Sequence, residues 1–263
     1  MPNAHGEFIW YELMTPDPDA SKAFYDTVVG WTIGDKPDSG MDYRMIGAPD
    51  GFVGGVLALN ADMTAGGAGP TWMGYFGVDD VDASVAAITA AGGTVHLPAN
   101  DIPDVGRIAM VADPQGVPIY VMRGSSNQTS TAYSRTGMGH VSWNELLTTD
   151  DAAALAFYDA QFGLKKVGAM PMGEMGDYSF IANGDGGSDD AIGAVMRAPP
   201  GVRSAWSFYF RVPDIDVAKA RVEAGGGTVV QGPMEVPGGE MVLSAVDPQG
   251  AHFGLVAPGK QGG

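Results

Sequence analysis

Two glutamates are the residues in this chain best placed to do chemistry: Glu12 and Glu145, each two positions after a tryptophan, Trp10 and Trp143. A two-residue period puts each pair on one face of an extended strand. A carboxylate held among apolar neighbours must be hydrogen-bonded or paired, and burial lifts its pKa toward the range of a general base. Glu12 and Glu145 therefore have two readings, a contact for a ligand or proton and a structural anchor between strands. His252 shares a strand face with Gly254 and Val256, which is expected to turn it inward; Pro118 holds the corresponding place earlier in the chain. Glu145 and His252 together, with Glu12 as a weaker third, form the acid–base set that catalysis could draw on. Trp10, Met73, Tyr75, Tyr120, Trp143, Ser207 and Tyr209 share the inward face, where flat rings either grip an aromatic guest or fill the space themselves. Arg197 and Arg211 could hold an anionic group or simply end their strands in solvent. The methionine-rich run from Met170 to Met175 and the loop from Pro233 to Gly239 are long enough to overhang a pocket.

These residues recur because the chain repeats itself. The run from Glu12 to Asp26 returns between Glu145 and Asp159, with Ala23-Phe24-Tyr25 matched by Ala156-Phe157-Tyr158. The turn from Asp113 to Gly116 returns, residue for residue, from Asp247 to Gly250. Landmarks repeated in one order imply one structural unit used twice. Within each half a strand, an acid-capped helix and three further strands occur, and then occur again. Gly6–Met14 reads as a strand and Ala20–Val28 as a helix capped by Asp17 or Asp19. Trp31–Ile33, Asp42–Ile46 and Gly54–Leu59 read as strands. The second module repeats the plan with Thr71–Val78, a helix Val81–Ala91 capped by Asp79 or Asp80, and strands near Thr94–Pro98, Arg107–Ala112 and Pro118–Met122. In the second half Asp150 or Asp151, then Asp214 or Asp216, are the expected caps.

The fold class expected is α+β, with four βαβββ modules paired into two half-barrel domains. Residues 1–124 form the first domain, with modules at about 5–60 and 70–123; 125–136 are a linker; 137–263 form the second, with modules at about 137–198 and 203–257. The tail from Ala257 is expected to fray. The 263 residues, 45% of them hydrophobic, suffice for two cores. A net charge of −17 with only 14 basic residues excludes a nucleic-acid stripe and disfavours an anionic membrane surface. With no cysteine there is no disulfide or thiolate. No apolar run is long enough to span a bilayer, and neither a signal peptide nor a membrane partner is expected, so the cytoplasm is the expected compartment. The expected partner is a small molecule, and the chain is expected to be a monomer or homodimer.

A βαβββ module with this acidic cap, the Ala-Phe-Tyr helix and the Asp-Pro-x-Gly turn before its last strand resembles the vicinal oxygen chelate superfamily. That superfamily includes glyoxalase I, the extradiol dioxygenases and the bleomycin and fosfomycin resistance proteins. The resemblance covers residues 5–257 and implies a cup-shaped sheet around each pocket. In metal-dependent members it implies ligands on the first, middle and last strands of the modules. In this chain those positions fall at Trp10 and Trp143, Met73 and Ser207, near Val56 and Ala194, and at Tyr120 and Gly254. None is an acid or imidazole, so the metal ligands are expected to be lost and no cofactor is expected. Gly254 against Tyr120 makes the second pocket the roomier expectation. The expected function is metal-independent binding of a small apolar or aromatic molecule, as in bleomycin-resistance-type binders. The alternatives are a glyoxalase-like or hydroxylase-like enzyme using Glu145 and His252, and an interaction protein with filled pockets.

Overall fold

The computed structural model describes residues 3–259; the outermost residues of the tail expected to fray lie outside them. Four modules follow one another. The first is β1 (Phe8–Thr15), α1 (Pro18–Val28), β2 (Thr32–Ile33), β3 (Tyr43–Ala48) and β4 (Gly51–Ala58). A short helix, α2 (Ala61–Ala65), occupies what the sequence suggested was plain linker, and its start is capped by Asn60. The second module is β5 (Thr71–Gly77), α3 (Val81–Ala90), β6 (Thr94–Ile102), β7 (Gly106–Ala112) and β8 (Pro118–Gly124). The third is β9 (Val141–Thr148), α4 (Asp151–Phe162), β10 (Leu164–Pro171), β11 (Asp177–Asn183) and β12 (Gly193–Arg197). The fourth is β13 (Ala205–Arg211), α5 (Ile215–Ala224), β14 (Thr228–Glu235), β15 (Met241–Val246) and β16 (His252–Ala257).

The strands form two open eight-stranded mixed sheets, ordered β2-β3-β4-β1-β5-β8-β7-β6 and β10-β11-β12-β9-β13-β16-β15-β14. The α+β duplication of four βαβββ modules is thus the architecture of the chain. Each sheet collects the strands of two consecutive modules. Compact packing groups the chain otherwise. One unit gathers the residues up to Trp10, Met73–Ser130 and Trp143–Trp206; the other gathers Tyr11–Trp72, Thr131–Ser142 and the chain from Ser207.

Local chemistry explains where the helices begin. Of each pair of candidate acids, the one immediately before the helix is the cap: Asp17, Asp80, Asp150 and Asp214 all accept a backbone N–H of the first turn. Asp150 receives the Ala153 N–H at 3.0 Å, satisfying a donor that the helix cannot. Asp150→Ala is expected to cost about 1 kcal/mol of stability by urea denaturation. A loss below about 0.3 kcal/mol would show that solvent serves that N–H equally well.

The repeated Ala-Phe-Tyr helix and Asp-Pro-x-Gly turn are partners inside each unit. In the unit containing β5, Trp206 Nε1 donates to the Tyr158 hydroxyl at 3.0 Å, which donates to Asp113 Oδ2 at 3.1 Å. Asp113 Oδ1 accepts the N–H groups of Gln115 and Val117. In the other unit Trp72 donates to Tyr25 at 3.0 Å and Tyr25 to Asp247 at 3.1 Å. Asp247 Oδ1 gathers the N–H groups of Gln249, Gly250 and Ala251. Rings close around each chain: Phe76 stacks on Phe162 at 4.1 Å, and Trp72 packs on Phe210 at 4.7 Å. Burial lifts the hydroxyls of Tyr25 and Tyr158 well above the phenol range. Burial also raises the Asp113 and Asp247 carboxyls, the bonds they accept offsetting only part of it.

Candidate functional site

Strand β9 alternates cleanly. Ser142, Asn144, Leu146 and Thr148 are buried, whereas Trp143, Glu145 and Leu147 on the opposite face keep partial contact with solvent. The register between β9 and β12 sets Glu145 beside Ala194, and β11 sets Phe180 beside Ala194 from the other side. Tyr178 is two residues along β11 and so shares Phe180's face. A polar chain crosses this wall. Trp143 Nε1 donates to the Tyr178 hydroxyl at 2.8 Å, and Tyr178 donates to Glu145 Oε2 at 2.7 Å. The Phe180 ring stands edge-on to Trp143 at 6.2 Å and to Tyr178 at 5.7 Å. The wall therefore offers an indole face, a phenyl ring and a carboxylate, all within one compact unit.

The earlier copy keeps the tryptophan, glutamate and tyrosine but has Met45 and Gly55 in place of Phe180 and Ala194, and its glutamate is buried. Glu12 is opposite Gly55 in the β1–β4 register, and only 2% of it is exposed. Tyr43 occupies the position of Tyr178, but here the neighbour is glycine. A Cβ on Gly55 would sit 2.2 Å from the Tyr43 hydroxyl, so the ring lies flat over the backbone. The methyl of Ala194 forbids that collapse in the later copy. Sequence spacing placed the middle-strand position near Val56; the register fixes it at Gly55, since Val56 is opposite Leu13 and fully buried. Tyr43 and Tyr178 escaped the sequence reading. The signal was present: Asp42-Tyr43 and Asp177-Tyr178 are one dipeptide at equivalent places.

Other candidates are placed as follows. Trp10 is half-buried on β1, and Met73 is buried on β5. Tyr75 and Tyr120 are register partners whose rings stack at 4.2 Å and 15°, filling the space between them. Tyr209 and Gly254 are the matching pair on β13 and β16. Gly254 does not leave room, as the sequence suggested, because the Tyr209 ring lies directly over it; a Cβ there would be 2.3 Å from Cδ1. The Tyr209 hydroxyl is 3.3 Å from Ser244 Oγ, and Ser207 is half-buried on the same strand. His252 opens β16 and is exposed, not turned inward, because it stands at the rim opposite Val246. The arginines are occupied: Arg197 is held by Asp151 at 2.7 Å, and Arg211 by Glu240 at 2.6 Å. His140 is buried, with Nε2 2.7 Å from Asp50 and Nδ1 2.6 Å from the Thr131 carbonyl, and its imidazole draws the Asp50 carboxyl below its usual range.

Sequence and structural comparisons agree with this architecture. A profile of the Glyoxalase/Bleomycin resistance protein/Dioxygenase superfamily matches residues 7–121 and again 137–255, and the chain belongs to that superfamily. Protein CFP32 of Mycobacterium tuberculosis, which carries a provisional glyoxylase name, is 36% identical over 96% of this chain and 95% of its own. The anthracycline biosynthesis protein DnrV of Streptomyces peucetius is 30% identical over 96% of this chain and 94% of its own. Among solved structures, the Mn(II)-bound glyoxalase of Novosphingobium aromaticivorans superposes with a TM-score of 0.64 at 17% identity, covering 98% of this chain and 83% of that one. The 2,2',3-trihydroxybiphenyl 1,2-dioxygenase of Sphingomonas wittichii gives 0.67 at 13% identity over 97% and 91%. These two show the fold alone.

The residues at the ligand positions do not fit the metal that such a fold can carry. Indoles, a thioether, a phenol, a single serine hydroxyl, a methyl and glycine stand where three or four nitrogen or oxygen donors must converge. Among the described residues no group of three or more His, Asp or Glu is placed to hold an ion. Nor is any helix among them long and apolar enough to cross a membrane.

Proposed function

We propose that this protein binds a small aromatic molecule without a metal, on the wall formed by Trp143, Phe180, Tyr178 and Glu145. The observation that carries this reading is the Trp143–Tyr178–Glu145 hydrogen-bond chain on a half-exposed face. An indole tied at its N–H is held in one orientation before a guest arrives, which lowers the ordering cost of binding. Flat rings beside one fixed polar group match the usual make-up of small-molecule sites. The relative named for anthracycline biosynthesis supports a polycyclic aromatic guest. The buried Glu12 and the Tyr75–Tyr120 stack favour the Trp143 wall over its counterparts in the first and second modules.

The test is a titration of EDTA-treated protein with 2-hydroxyanthraquinone, followed by tryptophan fluorescence. Saturable one-to-one quenching that persists in chelator is expected. Trp143→Phe should weaken binding several-fold, in line with about 1 kcal/mol for the lost ring contact. Absence of saturation, or binding that EDTA abolishes, would sink the proposal. A second reading has the same 2.7 Å bond in its favour: Tyr178 beside Glu145 is also the arrangement of a general base with a proton partner. Turnover of the bound guest that Glu145→Gln removes, with affinity unchanged, would establish that reading.

A further inference from the structure

The direction of the hydrogen bonds along the wall restricts the guest further than its shape does. An indole N–H can only donate, so the bond from Trp143 makes the Tyr178 oxygen an acceptor. Tyr178 has a single proton, and it points at Glu145 Oε2 over 2.7 Å. Every proton in the chain therefore runs toward Glu145. An ionised carboxylate is acceptor-only, with about four acceptor positions on its two oxygens. What the wall presents to a guest is consequently an acceptor flanked by the rings of Trp143 and Phe180. Arg197, the cation nearest in sequence on β12, falls on the opposite face of its strand from Ala194 and is held by Asp151.

Resting on the aromatic-binding reading above, we infer that the guest is a phenol whose ring lies against Trp143 and whose hydroxyl donates to Glu145, with Tyr178 as the positioning residue that fixes the carboxylate. An aryl ether of the same shape would set oxygen against oxygen and give the carboxylate no bond beyond those the protein already supplies. An aryl carboxylate would add like charge at close range. The protein discriminates among flat guests of equal size by the proton they can give.

The inference is tested on the unaltered protein with three probes of one skeleton: 2-hydroxyanthraquinone, 2-methoxyanthraquinone and anthraquinone-2-carboxylate. The phenol is expected to bind roughly tenfold or more tightly than the ether, as a bond to a charged group of about 1.5–3 kcal/mol implies. The carboxylate is expected to bind weakest. Glu145→Gln should reduce the phenol-to-ether ratio to about threefold or less, because the charge-assisted bond becomes an ordinary one. Tyr178→Phe should weaken the ether modestly, because the Trp143 N–H loses its anchor, and the phenol by more, so that the same ratio falls, a pattern that simple loss of folding would not give. If all three probes bind equally, or the carboxylate binds tightest, aromatic binding stands and the phenol assignment is overturned. If none binds, both fall together.

Discussion

Replacing Asp113 by alanine is expected to cost roughly 3 kcal/mol or more of unfolding free energy, a large share of what a domain possesses. The substitution removes the common acceptor of the Tyr158 hydroxyl and the Val117 N–H, both buried, and of the Gln115 N–H nearer the surface. A buried donor stranded without an acceptor costs about 1–3 kcal/mol. Tyr158→Phe should cost less, about 1–3 kcal/mol, since it strands the Trp206 N–H but leaves the turn intact. The pH dependence has a defined sign. Burial raises the Asp113 carboxyl above its unfolded value, so its contribution is fully present below the unfolded pKa of about 3.9. It is lost as pH climbs through the raised folded value. Asp113→Asn carries no such titration, so the stability of the parent protein relative to Asp113→Asn should fall between pH 4 and neutrality. Urea denaturation across that range measures the difference, and a flat or rising profile would contradict the assignment.

Gly193→Ala is expected to be as damaging and to reach the site. A Cβ on Gly193 would stand 1.9 Å from the Asn144 carbonyl oxygen, its register partner on β9. Both contacting atoms belong to backbone, and Asn144 Nδ2 also donates to the Ile192 carbonyl at 2.9 Å, so neither strand can yield alone. Overpacking of this kind costs about 3 kcal/mol. Asn144 lies between Trp143 and Glu145, so pushing β9 away stretches the bond to Tyr178 and should weaken guest binding in the fraction that folds. Gly187→Ala is the control: its φ is −91° and a Cβ there meets nothing within 4 Å, so less than about 0.5 kcal/mol should change. Equal stability of the two variants would show that the β9–β12 contact is slacker than described.

The modules could be read from sequence because several weak signals coincided: period-two runs, an acid before each helix, a glycine after it and the recurrence of all three. Asp80 and Asp214 emerge as caps over Asp79 and Asp216 only once the backbone around them is fixed. α2 went unread, since five residues show too little periodicity to stand out. The site was half legible. Period two put Trp143 and Glu145 on one face, but it cannot say which residue of a neighbouring strand lies alongside, and a slip of one residue separates Val56 from Gly55. The space beside Gly254 also could not be judged from that residue, because a tyrosine on the adjacent strand decides it. Likewise, strand parity turned His252 inward without regard to its position at the rim.

Compactness that joins the second module to the third, and the first to the fourth, has a consequence for how the chain is made. During synthesis the first module emerges long before residues 207–257, which complete its unit. Until then Tyr25 lacks Asp247 and the rings of Trp31 and Trp72 lack Phe210. The unit whose last segment ends at Trp206 is complete first and can close first; the other must join Tyr11–Trp72 to the chain from Ser207, a longer loop and the slower event by contact order. Nascent chains halted before β16 would expose an aromatic surface to the ribosome exit and its chaperones, so the order of assembly is written into which modules share a core.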